Sequence, residues 1–417
     1  MRSADTALPE TSRTRAPEGS FRLFAAGTHA GFRDHLETFG PLDVRSIGPG
    51  FIAELEKSGL TGRGGAAFAS WRKLAATAQA RSAGLLPARP VVIANGAEGE
   101  PLSFKDRTLL ANSPHLVIDG LLVATRAVVG SEMYLYATAA SLSGVGQAIA
   151  ERPDARRIRL VEAPETFISG EASAAVNAIS TGTALPLDKR RRLSESGVKG
   201  RPTLVLNVET LAHVGLIARY GAPWFRSVGT PRDPGTRLVS VSGACQDQVL
   251  EVAGNAALGT ILHDAGIDAA SLSAVLVGGY HGRWVKPLDY QLSPAGPVNQ
   301  AVRPGAGVIH ALSVEQCGLA ATARILDYLA AESARQCGPC MFGLPAMAGV
   351  LNRIAAGERN PQLPRELDRL SRLVAGRGAC HHPDGTIGLV SSALEVFSAD
   401  VKAHLAGTCL RQDWRAA

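Results

Sequence analysis

The sequence predicts an α/β domain, then a compact α+β module, then a helical bundle. Three observations carry this order. Between residues 91 and 214 short apolar runs alternate with segments of helical period, as in parallel strands joined by helices. From about Arg232 short strands and one helix crowd into some sixty residues. From Val314 onward four amphipathic helical segments follow in series.

Taken in order, the first twenty residues lack an apolar stretch, which excludes a signal peptide and reads as a disordered tail. From Phe21 to Gly48 the pattern fits a lead-in segment packed on the main domain, and from Phe51 to Leu60 a short amphipathic helix. A Gly-rich stretch, "TGRGGAAFASWRKLAA", leads into a helix through Trp71 to Ala80. "RPVVIANGAEGEP" is a buried strand that ends abruptly in a polar loop. A long helix, "PHLVIDGLLVATRAVVG", and strands at "MYLYATA" and "RIRLVEAP" follow, with a further helix between them. In open α/β sheets ligands sit beyond the carboxyl ends of strands, where the polar loop after Ala94 falls. "TRLVSVSGACQDQVLEVAG" and "AVLVGGYHGRWV" supply the strands of the second module. From Cys317 the chain holds "CGLAATARILDYLAAESARQCGPC", "GLPAMAGVLNRIAAG", "ELDRLSRLVAG" and "LVSSALEVFSADVKAHLAG", with cysteines at the helix connections.

Composition narrows the function. The 417 residues are 46% hydrophobic and 19% charged, enough for buried cores and about three domains. A net charge of +6 with 5% aromatics is only mildly basic and lacks the interleaved pattern of a single-strand nucleic-acid groove. No run approaches the ~18 apolar residues of a membrane span. Six cysteines are too sparse for a disulfide scaffold, and the clustered three, Cys337, Cys340 and Cys380, read as metal ligands. A soluble protein of the reducing cytoplasm is expected.

Four loops carry candidate chemistry. In "SGLTGRGGAAFASWRKL", Gly62, Gly64 and Gly65 let main-chain N–H groups converge on an anion ahead of a helix, with Arg63 and Lys73 for charge. In "NGAEGEPLSFKDR", Asn95, Glu98 and Glu100 follow the buried strand and suit ribityl or ribose hydroxyls, with Asp106 as a helix cap. "FISGEASAA" opens a helix with Gly170 and Glu171, and "GRPTLVLNVETLAHV" places Asn207, Glu209 and Thr210 after an apolar strand. Singly, each of the last two fits ordinary helix capping.

In this order, "SGLTGRGGAAF", the NGAEGEP loop with its FKDR continuation, "GRPTLVLNVETL", the small α+β module and the cysteine-bearing helices resemble one family. It is that of the flavin-binding, NADH-oxidising subunit of respiratory complex I and the diaphorase subunits of NAD-linked hydrogenases and formate dehydrogenases. The resemblance runs from about Ser58 to Ala406. It implies an FMN/NADH domain over residues 21–231, a β-grasp soluble-ligand-binding domain over 232–300, and a four-helix iron–sulfur domain over 301–417. It implies that Gly62, Arg63, Gly64, Gly65 and Lys73 hold the FMN phosphate, and that Asn95, Glu171, Asn207 and Thr210 bond its ribityl chain and ring. Phe68, Glu100 and Lys189 would meet NADH or NADPH, and Cys337, Cys340 and Cys380 a [4Fe-4S] cluster. Electrons would pass from NAD(P)H through FMN to single-electron centres and on to a partner such as ferredoxin or other redox subunits.

The chain departs from the family's pattern in several places. Ala97 stands for an aspartate that helps hold flavin, Ala172 for a second glutamate, and Leu206 for the first of paired asparagines. Arg192 falls near the place of an aromatic that sandwiches adenine, within the basic run from Lys189. Ala334 stands where the first cluster cysteine should be; one iron can take water or an imidazole, and His381, His382 and Cys317 are the candidate substitute ligands. Zinc on the three cysteines and a neighbouring histidine is the alternative metal. The alternative function is a non-catalytic relative that keeps the scaffold without oxidising NADH.

Overall fold

The apolar run at residues 91–94 is buried on both faces, as a central strand of a parallel sheet must be. In the computed structural model, which describes residues 21–80, 88–188, 190–288, 290–294 and 301–411, it opens β1, Val91–Gly96. The first sheet adds β2 (Glu132–Ala137), β3 (Ile158–Glu162) and β4 (Thr203–Asn207) in the order β3-β2-β1-β4. All its pairings are parallel. The chain therefore runs from β1 to one side and returns to the other, which makes the space beyond the carboxyl ends of β1 and β4 a topological switch point. The register there pairs Asn95 with Asn207.

Helices Pro114–Ala127 and Val208–Phe225 lie against this sheet and pack on each other at very close range. A Cβ at Gly120 would lie 1.8 Å from the Leu211 carbonyl oxygen, so only glycine permits the approach. The expected lead-in segment is tied down by Glu251, whose Oε2 accepts the N–H groups of Arg22 and Leu23. Helix Lys105–Asn112 is capped by Glu98, not Asp106: Glu98 Oε1 accepts Asp106 N–H at 3.1 Å and Oε2 accepts Arg107 N–H at 3.2 Å. Asp106 lies inside the first turn and bonds Lys105 and Asn207 instead.

The second sheet orders its strands Arg283–Val285, Leu272–Val277, Val308–Ser313, Thr236–Ser242 and Gln248–Ala253. Its two middle neighbours, Val308–Ser313 and Thr236–Ser242, are parallel, and the other pairings are antiparallel. Ile261 and Leu262 of helix Leu258–Asp264 close a core with Val239, Val275 and Ile309. This sheet runs past the expected boundary at residue 300, because Val308–Ser313 supplies its middle strand.

Helices Gly318–Ala331, Leu344–Ala355, Leu363–Val374, His382–Val396 and Ser398–Leu405 follow. The segment expected as one last helix is two, since Phe397 leaves helical geometry and buries its ring against Gly318 and Trp284. No helix among the described residues is long and apolar enough to cross a membrane.

Candidate functional site

The site begins with the two asparagines that the β1–β4 register sets side by side. Asn207 caps its helix by accepting Glu209 N–H on Oδ1 at 3.0 Å, and donates from Nδ2 to Asp106 and to Asn95 O. Asn95 donates to Gly170 O at 2.9 Å, which draws the third loop over the strand ends. Gly170 opens on Glu171, whose Oε2 accepts Ser173 and Ala174 N–H groups and caps helix Ala172–Thr181. The glycine loop closes through a Gly62 N–H to Phe68 O bond of 2.8 Å and a bridge between Thr61 and Ala69. Gly64 sits against Asn207, where an added Cβ would come within 3.2 Å of the Asn207 Cβ, and Gly65 takes a φ of +108°. The structure thus gathers Gly62, Gly64, Gly65, Asn95, Glu171 and Asn207 at one switch point.

Beside it opens a cavity of about 570 Å³ lined by Phe68, Arg72, Lys73, Arg192, Ser194 and the β4 residues Thr203 to Val205. This is the size of a drug- or nucleotide-scale ligand site. Lys73 meets water along the cleft yet is walled in by protein, and that crowding lowers its ammonium pKa while the Glu171 carboxylate opposes the shift. Phe68 leaves a half-exposed ring at the same wall. Arg72 and Arg192 give the lining a positive character suited to phosphates. The loop motifs did not single out Arg72 or Thr77. The signal was the helical spacing, which stacks Arg72 over Ala76 and Lys73 over Thr77 on adjoining stripes.

Three expected residues are used elsewhere. Arg63 is buried, with its guanidinium on Thr61 Oγ1, Pro234 O and Asp233, so its charge supports the loop from beneath and is not presented to the cleft. Burial, then the neighbouring Arg237, lowers its pKa to about 10. Thr210 is fully buried and accepts the Arg63 N–H at 2.9 Å, which makes it a staple of the loop and not a donor to a ligand. Glu100 reaches the second sheet, where Oε2 accepts Tyr280 N–H at 2.7 Å. Lys189 lies outside the described residues. Beneath the site, Lys105 Nζ bridges Asp106 and Glu209 at 2.6 and 2.8 Å, and Glu209 Oε1 accepts Leu238 N–H, locking the first sheet to the second.

The cysteines form a second centre. Cys337 and Cys340 enter the turn Pro339–Gly343, and Cys340 N–H meets Cys337 O at 3.1 Å. Burial first, then the adjacent Cys337 and Cys380 sulfurs, push the Cys340 thiol up to about 12. Gly343 allows this turn to press on Val374, where a Cβ would come within 2.4 Å of Cγ2. The buried Ser333 hydroxyl lies beside Cys340 without a well-formed hydrogen bond.

Two of the suggested fourth ligands are excluded. Cys317 stands at the opposite end of the 14-residue helix Gly318–Ala331, about 20 Å from its far end. His382 is held between His281 Nε2 at 3.0 Å and Leu329 O at 2.8 Å, which engages both ring nitrogens.

Residues 55–216 match the model of the Nuo51 FMN-binding domain, and residues 320–404 that of the NADH-ubiquinone oxidoreductase-F iron-sulfur binding region. The chain is 30% identical over 386 residues to an NADH-quinone oxidoreductase component of Rhizobium meliloti, covering 86% of this chain and 89% of that protein. It is 28% identical to the mitochondrial NADH dehydrogenase [ubiquinone] flavoprotein 1 of Dictyostelium discoideum, with 85% and 78% covered. It is 25% identical to the HndC component of the NADP-reducing hydrogenase of Solidesulfovibrio fructosivorans, with 88% and 78% covered. Its fold superposes on a chain of an air-oxidized NAD+-reducing [NiFe]-hydrogenase with a TM-score of 0.78 at 27% identity, over 86% of this chain. It spans 63% of that hydrogenase chain's length.

Proposed function

The chain belongs to the family of FMN- and iron–sulfur-binding components of NADH-quinone oxidoreductases, and we propose that it is an electron-transfer flavoprotein oxidising NADH or NADPH within a redox complex. Bound here, FMN would supply acceptance of a hydride from the nicotinamide, and an iron–sulfur centre single-electron acceptance. The observation that carries the reading is the convergence of glycine loop, Asn95, Asn207 and Glu171 at the switch point beside a cavity lined by Lys73, Arg72 and Arg192.

The residues divide the work. Gly64 and Gly65 would leave main-chain N–H groups free to approach a phosphate, and Lys73 would supply a charge from the cavity wall. Asn95, Asn207 and Glu171 line the place of the ribityl chain and ring. Phe68 offers an exposed ring face to an adenine, and Arg72 with Arg192 would hold the dinucleotide phosphates. The second sheet is read as a β-grasp unit, supported by its strand order and its central parallel pair. We therefore place the domain borders near 231 and after the strand Val308–Ser313.

Cys337, Cys340 and Cys380 suit an iron–sulfur centre, because bound cations would stabilise the crowded Cys340 thiolate, whose ionisation burial and the two neighbouring sulfurs oppose. They supply three of the four ligands of a [4Fe-4S] cluster. Ala334 supplies none, and His381, next to Cys380, is the imidazole best placed for the fourth. The recipient is a partner redox protein of the same complex or a ferredoxin-like protein, favoured by the mildly basic surface.

Protein reconstituted with FMN, iron and sulfide should reduce ferricyanide with NADH or NADPH and show an iron–sulfur signal by electron paramagnetic resonance after reduction. Flavin-loaded protein without turnover on either dinucleotide would instead make the chain a non-catalytic relative. Zinc in place of iron on the three cysteines would overturn the cluster assignment.

A further inference from the structure

Outside both matched regions, or at their edge, lies a second group of soft ligands. Cys317 precedes residue 320, Cys409 follows residue 404, and His404 stands at the border. Their ligand atoms, two sulfurs and one imidazole nitrogen, all lie within 4.8 Å of one another. We propose that Cys317, His404 and Cys409 form a zinc site that pins the C-terminal segment to the helical domain.

The geometry is that of a ligand set. Cys317 Sγ and His404 Nε2 are 3.5 Å apart. Zinc bonded to sulfur at about 2.3 Å and to nitrogen at about 2.0 Å, with a tetrahedral angle between, places them about 3.5 Å apart. The tautomer of His404 follows from its other side. Nδ1 lies 2.9 Å from Ala355 O and 3.1 Å from Ile354 O, and carbonyls only accept, so Nδ1 carries the proton. The lone pair of Nε2 then faces Cys317. A backbone acceptor behind the ligating imidazole is the outer hydrogen bond that orients histidines on metals.

The main chain around the two cysteines also presents positive dipole ends, as metal-bound thiolates prefer. Cys317 occupies the N-terminus of helix Gly318–Ala331, and Cys409 accepts Arg411 N–H at 3.4 Å. The chain is bent to bring the third ligand in. Gly407 takes a φ of +79°, and the Thr408 N–H bonds back to Ala403 O, so that Cys409 returns alongside the helix bearing His404.

The same geometry argues against other uses. Cys317 and His404 are buried, which denies a substrate to a cysteine–histidine pair. Cys409 is half-buried, so the fourth position opens toward solvent and suits a water ligand. Two thiolates and an imidazole without a carboxylate select zinc over the hard cations.

Metal analysis of the full-length protein, prepared anaerobically with zinc available, tests the site. About one zinc per chain is expected beside the iron, with an X-ray absorption shell of two sulfurs, one nitrogen and one water oxygen. Cys409→Ser should weaken zinc at least ~100-fold in chelator competition while flavin and iron contents stay unchanged. Cys409→His should retain it. Wild-type protein without zinc, or zinc that persists in both Cys409→Ser and His404→Gln, would overturn the site. So would a Cys317–Cys409 disulfide that protects both thiols from alkylation. The absorption measurement on wild-type protein stands even if a variant fails to fold.

Discussion

Glu100 is a carboxyl that folding makes reluctant to ionise. Burial pushes it up to about 7, against the Tyr280 and Leu102 N–H groups that favour its charge, while its edge still meets water. An unfolded Glu titrates near 4.3. Between those values the folded chain binds more protons than the unfolded one, so this residue's contribution makes stability fall as pH rises from about 4.5 to about 7. Glu100→Gln should remove that slope and stabilise the protein at pH 8 by on the order of 1–2 kcal/mol, the water at its edge reducing the full linkage value. Denaturation at pH 5 and pH 8 measures it, and an unchanged slope would refute the assignment. Lys73→Met should weaken FMN about tenfold or more by removing a charged contact in a confined cleft, as read by flavin fluorescence. The positions legible in the sequence were those fixed by local pattern: Asn95 and Asn207 end apolar strands, Glu171 opens a helix, and Gly64 belongs to a glycine-dense loop. Arg63 and Glu100 were not, because their partners Pro234 and Tyr280 lie 171 and 180 residues away. Side-chain direction there depends on how two sheets meet, which no local pattern encodes.

At the scale of elements, glycine positions separate close packing from loose surface. Gly120 lets helix Pro114–Ala127 touch Val208–Phe225, and a methyl there meets the Leu211 backbone, which cannot swing aside. Gly120→Ala should cost about 3 kcal/mol through overpacking and lower the melting temperature. Gly144, in helix Ala139–Ala150, has nothing within 4 Å of an added Cβ. Gly144→Ala should therefore stabilise by about 0.5–1 kcal/mol, from helix propensity and a less flexible unfolded chain. Equal effects of the two substitutions in the same denaturation series would contradict this packing. Strand and helix existence was readable from period along most of the chain, because four-residue apolar runs and amphipathic faces are local features. The division of the last helix at Phe397 was not, because its cause is a ring that inserts against Gly318 and Trp284, far away in the chain.

For the whole molecule, the question is how a flavin pocket on the first sheet communicates with cysteines on the helical domain. The two meet at Phe167. Its N–H donates to Glu332 Oε2 at 3.1 Å, five residues before Cys337, and the same turn continues directly into Glu171. Its ring packs on Tyr280, His281, Tyr328 and His382 with centroids 4.8 to 6.4 Å apart, and His382 follows Cys380 by two positions. Both cysteine loops and the Glu171 loop therefore share one aromatic contact, drawn from all three parts of the fold. Such a contact fixes the separation between the two centres, and transfer between them is sensitive to that separation. Phe167→Ala opens the contact without touching a residue assigned to either cofactor. We expect the flavin to be reduced by NADH at an unchanged rate, while reduction of the iron centre slows on the order of tenfold from a misplacement of about 1 Å. Phe167→Leu, which keeps most of the volume, should retain most of the rate. Stopped-flow absorbance follows the first step and freeze-quenched electron paramagnetic resonance the second, on samples of equal flavin and iron content. If both steps slow together, Phe167 supports the flavin pocket alone. If neither slows, the two centres are held by the buried Lys105–Glu209 junction between the sheets, and the aromatic cluster is only packing.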